Sequence, residues 1–187
     1  MVSALIGLGS NLGDRKALIE SAIRALSAIG SLKYISSLYE SPAWGWARAP
    51  KFLNAVVMLD THTEPQVLLH YLMAVEQHHG RVRRAPNAPR TLDLDLLDYG
   101  QQTIQTKLLQ APHPRMWDRL FVLMPLNEIQ PDYHHPTERT HIADQIETLM
   151  ASTPKSEVPV LFTKTNGTPV NAHQRAQRTK RHTQPSH

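Results

Sequence analysis

The chain has 187 residues, 41% of them hydrophobic, with 20 Lys and Arg against 16 Asp and Glu and no cysteine. That length fits one domain with an ordinary core. The lack of cysteine excludes disulfides, thiolate metal centres and cysteine nucleophiles. No apolar run reaches the roughly 18 residues of a membrane span, and the segment after Met1 lacks the basic start and long apolar middle of a signal peptide, so a cytoplasmic protein without a membrane partner is expected.

The formal charge of +4 is unevenly placed: residues 155–187 carry Lys155, Lys164, Arg175, Arg178, Lys180 and Arg181 against Glu157, a net of +5 that leaves residues 1–154 at −1. The expected organisation is therefore a folded domain over 1–154 and a basic tail over 155–187. The tail lacks apolar periodicity after Phe162 and is expected to be disordered. A slightly acidic domain gives no reason to expect nucleic-acid binding.

In chain order, Val2 to Gly7 is a short apolar run expected to form a buried strand. Gly7, Gly9 and Gly13 lead into a helix over about 14–28 with Leu18, Ala22, Leu26 and Ile29 on one face. The glycines lack the spacing and lysine of a Walker loop, so a tight strand-to-helix turn is expected. Ser31 to Ser41 reads as one strand and Phe52 to Asp60 as a stronger one. The connector between them holds Trp44 and Trp46 among prolines and a glycine, suited either to stacking a flat ring or to covering a sheet edge. Thr63 and Gln66 form a capping-box pattern around Pro65, opening a helix that carries Leu68, Leu69, Leu72, Met73 and Val75 to a stop at Gly80. Its last turn should aim Glu76 and His79 at the arginines that follow. A strand from Leu92 to Asp98, a turn at Gly100, a short strand near Ile104 and a final helix over Ile142 to Met150 complete the pattern. The order is βαββαβ with helical additions. With both helices on one face of an antiparallel sheet, it predicts an α+β, ferredoxin-like two-layer sandwich.

The most informative stretch is Gly80 to Tyr99. On a strand, Leu92, Leu94 and Leu96 share one face while Asp93 and Asp95 share the other, their Cα atoms about 6.6 Å apart. Two carboxylates that close are tolerable when protonated or bridged by cations, and Mg²⁺ suits one or two carboxylates plus substrate phosphates. Arg81, Arg83, Arg84 and Arg90 lie just upstream with no acid among them, and guanidinium forks match phosphate oxygens. The paired histidines His78-His79 and His134-His135 point in divergent directions with no third ligand spaced to close a zinc site.

Six segments together, GLGSNLGD at 7–14, YESPAWG at 39–45, FLNAVV at 52–57, E-x-x-x-GRVR at 76–83, PRTLDLDLL at 89–97 and PHPRMWDRLFVLMPLNEI at 112–129, closely resemble the 6-hydroxymethyl-7,8-dihydropterin pyrophosphokinase family over roughly residues 1–151. The resemblance implies transfer of the β,γ-pyrophosphoryl unit of ATP to the pterin hydroxymethyl oxygen in folate biosynthesis, with two Mg²⁺ ions and a monomeric enzyme. It implies metal ligation by Asp93 and Asp95 and catalytic roles for Arg81 and Arg90. ATP contacts would come from Glu76, Arg83, Leu96, His113 and Arg119. Pterin contacts would come from Ser41, Pro42, Trp44 and Asn54, with Phe52 and Phe121 sandwiching the ring. It further implies that Mg-ATP binds first and that loops 41–50 and 81–90 close.

Three features depart from the pattern. The segment 84–88 is one residue shorter than a form carrying Arg-Trp-Gly, Trp44 replaces a smaller apolar residue, and Asp98 stands where leucine is usual. By period two Asp98 should face away from Asp93 and Asp95. Two rival readings remain at this point. One is a non-catalytic paralogue, whose sign would be loss of an aspartate or of Arg81 or Arg90. The other is a nucleic-acid module, which would need an aromatic strand signature.

Overall fold

The computed structural model describes residues 1–43, 49–82 and 88–164. Trp44, Arg83 and most of the 84–88 segment lie outside them, as does the chain after 164. The elements are β1 (Val2–Ser10), α1 (Arg15–Leu26), β2 (Ser31–Ile35), β3 (Leu38–Ser41), β4 (Phe52–Thr61), α2 (Pro65–His78), β5 (Asp93–Tyr99), β6 (Ile104–Gln105), β7 (Gln110–Ala111), α3 (Leu120–Ile129), α4 (Ile142–Ser152) and β8 (Val160–Thr163).

The main sheet runs β5-β1-β4-β3-β8, with β2 also on β4, and its pairings are antiparallel. The single strand expected over 31–41 is two. β2 pairs with Val57 to Asp60 and β3 with Phe52 to Asn54, and the chain breaks at Ser36, whose hydroxyl accepts the Val56 amide at 2.9 Å. A serine side chain thus takes over a ladder position where the strand path shifts.

Alternation sorts the side chains of β1, β4 and β5 onto two faces. Ala4, Ile6, Leu8, Leu53, Ala55, Val57, Leu59, Leu94 and Leu96 form one apolar layer with Ile19, Ala22 and Leu26 of α1 and Leu68, Leu72 and Val75 of α2. Leu5, Val56 and Leu97 lie on the other face under Val122, Leu123, Leu126 and Ile129 of α3 and Ile142 of α4. Helices therefore cover both faces: α1 and α2 form the expected second layer, and α3 and α4 add a third on the opposite face. The signal was the almost continuous apolar run of α3, since an element apolar on most sides needs burial of its own.

Four local expectations also change. Glu64, not Thr63, caps α2, without a side-chain bond, and Pro65 supplies the first turn. His79 turns to α1, bonding Val75 O and Ser21 Oγ at 2.7 and 2.9 Å, rather than to the arginines. The ladder between β1 and β5 shifts register between Leu5/Ile6, leaving Leu97 as an extra residue on β5. That bulge breaks the period of two, so Asp98 points to the α3 face, where its carboxylate accepts the Tyr133 phenol and the Gln101 amide. Finally, Val160–Thr163, expected within the tail, pairs as β8 with β3. Four extended residues with Val160, Leu161 and Phe162 suffice to lengthen an available sheet edge.

Candidate active site

The second face of the sheet is covered by α3 at one end only. At the other, β1 supplies Gly7 and Gly9 where a side chain would stand. In register, Tyr39, Asn54, Gly9 and Asp93 form one row across β3, β4, β1 and β5, and Val56, Gly7 and Asp95 form the next. A Cβ on Gly9 would sit 3.6 Å from Asn54 Oδ1 and Phe52 Cδ1 and 3.7 Å from Asp93 Cβ. The glycine leaves a flat floor between an amide and a carboxylate carried by strands whose backbones lie about 10 Å apart, two strand spacings.

Over this floor lies a cavity of about 310 Å³ lined by Ser41, Pro42, Phe52, Asn54, Arg81, Arg90, Asp93, Asp95, His113, Arg119 and Phe121, together with Gly7, Leu8, Gly9, Ala55, Arg115 and Val122. Residues read from distant parts of the sequence thus converge. Leu96 reaches a neighbouring groove of about 300 Å³ that shares Asp95 and His113 and adds Leu69, Thr106, Leu109 and Gln110. Glu76 is not among the cavity's lining residues. Its carboxylate, on the last turn of α2, accepts the Leu94 amide at 2.8 Å and pairs with Arg81.

Four guanidinium groups line the cavity against two carboxylates, which suits a polyanion. Arg81 pairs with Asp93 Oδ1 as well as Glu76, and Arg90 reaches Asp93 Oδ2 at 3.0 Å. Arg90 also stands 5.7 Å from the Phe52 ring centroid, and Arg119 stands 5.5 Å from that of Phe121, so both aromatic walls carry a cation. Burial and the neighbouring Asp93 charge push the Asp95 carboxyl up to about 6. No side-chain donor meets Asp95 among the described residues. A half-buried carboxylate with no side-chain donor, beside a second carboxylate, suits cation binding, and the pair fits the few protein ligands that Mg²⁺ takes when phosphates complete its shell. The described residues contain no group of three acids or histidines able to hold a metal unaided.

Burial beside Arg119 and Arg115 lowers His113 to about 4, so its ring is neutral near pH 7. Nδ1 accepts the Arg115 amide at 3.2 Å, which assigns the proton to Nε2 and makes it a donor. Asn54 is fixed by Nδ2, which donates to Ser41 Oγ at 2.9 Å and Tyr39 O at 3.4 Å, leaving Oδ1 to accept from a ligand's N–H edge.

Two contributors escaped the sequence reading. Arg115 lines the cavity but sits among many surface-type arginines, and nothing in its spacing marks it. Asn11 exchanges bonds with the Arg90 backbone, Arg90 N to Oδ1 at 2.7 Å and Asn11 N to Arg90 O at 3.1 Å, while its Nδ2 donates to Pro50 O at 3.0 Å. It ties together the bases of the 41–50 and 81–90 loops. Its only sequence signal was an asparagine inside the GLGSNLGD turn.

A flat slot between two phenyl rings, beside paired carboxylates and arginines, suits a planar ligand next to a polyanion. Residues 5–131 match the family model described as 7,8-dihydro-6-hydroxymethylpterin-pyrophosphokinase (HPPK), and the chain belongs to that family. It is 42% identical over 139 residues to the 2-amino-4-hydroxy-6-hydroxymethyldihydropteridine pyrophosphokinase of Aquifex aeolicus, covering 74% of this chain and 87% of that one. The Bacillus subtilis protein of the same name is 41% identical over 128 residues, 67% of this chain and 77% of that one. Among solved structures, the wild-type Plasmodium falciparum HPPK-DHPS with SDX-DHP superposes with a TM-score of 0.68 at 15% identity over 90% of this chain, a likeness of fold alone. The chain spans 48% of that structure's length.

Proposed function

We propose that the protein transfers the β,γ-pyrophosphoryl unit of ATP to the hydroxymethyl oxygen of 6-hydroxymethyl-7,8-dihydropterin, forming the pterin diphosphate and AMP on the route to folate. The observation that carries this reading is the row Asn54, Gly9, Asp93, which sets a ring-edge acceptor and a metal-type carboxylate on one flat floor. The strand order, with β5 and β4 flanking β1, supports a ferredoxin-like two-layer unit to which α3 and α4 are added.

In this reading Phe52 and Phe121 sandwich the pterin, Asn54 Oδ1 reads its N–H edge, and Ser41 and Pro42 complete the wall, with Trp44, outside the described residues, assigned a pterin contact by the family resemblance alone. Asp93 and Asp95 would hold two Mg²⁺ ions, which when bound would neutralise the phosphates and acidify the attacking hydroxyl. Arg81 and Arg90 exchange Asp93 for the moving pyrophosphoryl group, and Glu76 keeps Arg81 in place. Arg119, Arg83 and the Nε2–H of His113 bind phosphate oxygens, and Leu96 packs the nucleotide in the adjoining groove. The hydroxymethyl oxygen bonds to Pβ as the bond from Pβ to the bridging oxygen breaks; AMP leaves with that electron pair and the hydroxyl proton is released. The residues act by position and charge, which is what phosphoryl transfer requires.

We take the enzyme to be a monomer, testable by light scattering. No described helix is long and apolar enough to cross a membrane, and we place the enzyme in the cytoplasm with its ATP. Incubation with Mg-ATP and the pterin should yield AMP and the pterin diphosphate. Release of ADP, or no AMP above an Asp95→Ala control, overturns the reading.

A further inference from the structure

Glu128 lies on α3 outside the cavity, and its carboxylate is bound to the chain that enters and forms β3. It accepts the Ser37 amide at 3.1 Å on each oxygen, the Ser37 hydroxyl at 2.8 Å and the Tyr39 phenol at 3.0 Å. Tyr39 faces Asn54 across the ladder, and its carbonyl accepts the Asn54 amide that also donates to Ser41. Seven residues before Glu128 on the same helix, two turns back along one side, stands Phe121. One carboxylate therefore joins the helix that carries Phe121 to the strand pair that carries Ser41, Asn54 and Phe52.

The apolar contacts of α3 already hold it against the sheet through Val122, Leu123, Leu126 and Ile129. Apolar burial is non-directional and leaves sliding along the sheet weakly determined. Charged hydrogen bonds are directional and fix that remaining freedom.

We propose that Glu128 is a positioning residue that sets the spacing of the ring slot, anchoring α3 to Ser37 and Tyr39 so that Phe121 keeps its place relative to Phe52, Asn54 and Ser41. The assignment rests on the pterin reading of that slot. The Tyr39 phenol, pushed up to about 12 by burial and by Glu128, remains a donor to the carboxylate throughout the working pH range. Among the described residues the bonds of Glu128 go to Ser37 and Tyr39 and none reaches the phosphate end of the cavity, where Arg119 beside Phe121 is the one shared neighbour, so its loss should weaken pterin binding well before nucleotide binding.

The test compares wild type, Glu128→Gln and Tyr39→Phe for binding of 6-hydroxymethylpterin with a non-hydrolysable Mg-ATP analogue present, for the analogue alone, and for turnover. Loss of one or more charge-assisted bonds should weaken pterin binding about five- to twentyfold in Glu128→Gln and about two- to fivefold in Tyr39→Phe, raising the pterin KM with kcat nearly unchanged. Affinity for the ATP analogue should stay within about twofold of wild type. Unchanged pterin affinity in both variants, or parallel weakening of both ligands, overturns the assignment. Should Glu128→Gln fail to fold, Tyr39→Phe decides alone. Failure of the wild type to form AMP overturns the functional reading, whereas an active wild type with unaffected variants overturns only the positioning role.

Discussion

Asp95 is a carboxylate held in an unfavourable place. Burial and Asp93 raise it to about 6, so above that pH the folded protein keeps a charge that the unfolded chain would carry more easily. The sign follows from proton linkage. The native state binds the extra proton between the unfolded value near 4 and about 6, so the destabilisation is absent below that window, grows through it and is complete above it. At ~1.4 kcal/mol per tenfold change in proton affinity, and discounted because the group is still partly open to water, the effect is about 1–2 kcal/mol at pH 7.5. Asp95→Asn should therefore raise the melting temperature of the ligand-free protein by roughly 3–6 °C at pH 7.5, the gain shrinking toward pH 4, while AMP formation falls at least about a hundredfold. Calorimetry across pH together with the AMP assay checks both halves. A variant that loses activity without gaining stability would mean that Asp95 is better solvated than the structure places it.

At the scale of elements, β1 does its work by what it lacks. Gly9→Ala adds a methyl at ordinary contact distance from Asn54, Phe52 and Asp93, and alanine suits a strand interior better than glycine. The variant should fold with an unchanged or slightly higher melting temperature but bind the pterin about tenfold more weakly, because the methyl occupies the slot floor. Isothermal titration with thermal unfolding on the same sample checks the split. β8 makes the opposite kind of contribution, outside the site. Leu161 faces Tyr39 in the ladder, and Leu161→Pro should remove that pairing at about 1–3 kcal/mol, seen as faster hydrogen exchange at β3 amides.

Which elements were legible follows from the same physics. Asp93 and Asp95 could be placed because strict alternation holds from Leu92 to Leu96, and Asp98 was misplaced because a bulge, which leaves no mark in composition, ends it. Ser31 to Ser41 kept its strand pattern across the Ser36 break for a similar reason: a hydroxyl standing in for a ladder partner is invisible to periodicity. The helices α1 and α2 were readable from their apolar faces. The covering of the second sheet face by α3 depended on long-range packing, and the role of Asn11 on backbone groups nearly 80 positions away. The motifs of the site were legible as a family resemblance before they were legible as a place.

For the molecule as a whole, the excess of guanidinium over carboxylate in one cavity predicts that stability and ligand binding are coupled through Mg²⁺. A ligand that binds only the folded state at a hundred times its dissociation constant contributes about 2.7 kcal/mol, or roughly 5–10 °C in a domain of this size. Mg-ATP should give a shift of that order, and ATP with EDTA a clearly smaller one, in a thermal-shift series at fixed ionic strength. Equal shifts with and without the cation would remove Asp93 and Asp95 from the metal role.

Asp93, gripped by both Arg81 and Arg90, is also a tethered competitor inside the pocket. A free anion must evict it from the arginines, and a free cation must strip it from the same two groups, so either ion alone leaves an unpaired charge behind. If the two arrived together the exchange would balance, Asp93 holding the cation as Arg81 and Arg90 hold the phosphates. On the proposed reading the pocket would discriminate by coincidence: inorganic phosphate and bare magnesium, both abundant, would each be held off by a carboxylate that the complex of magnesium with a polyphosphate releases.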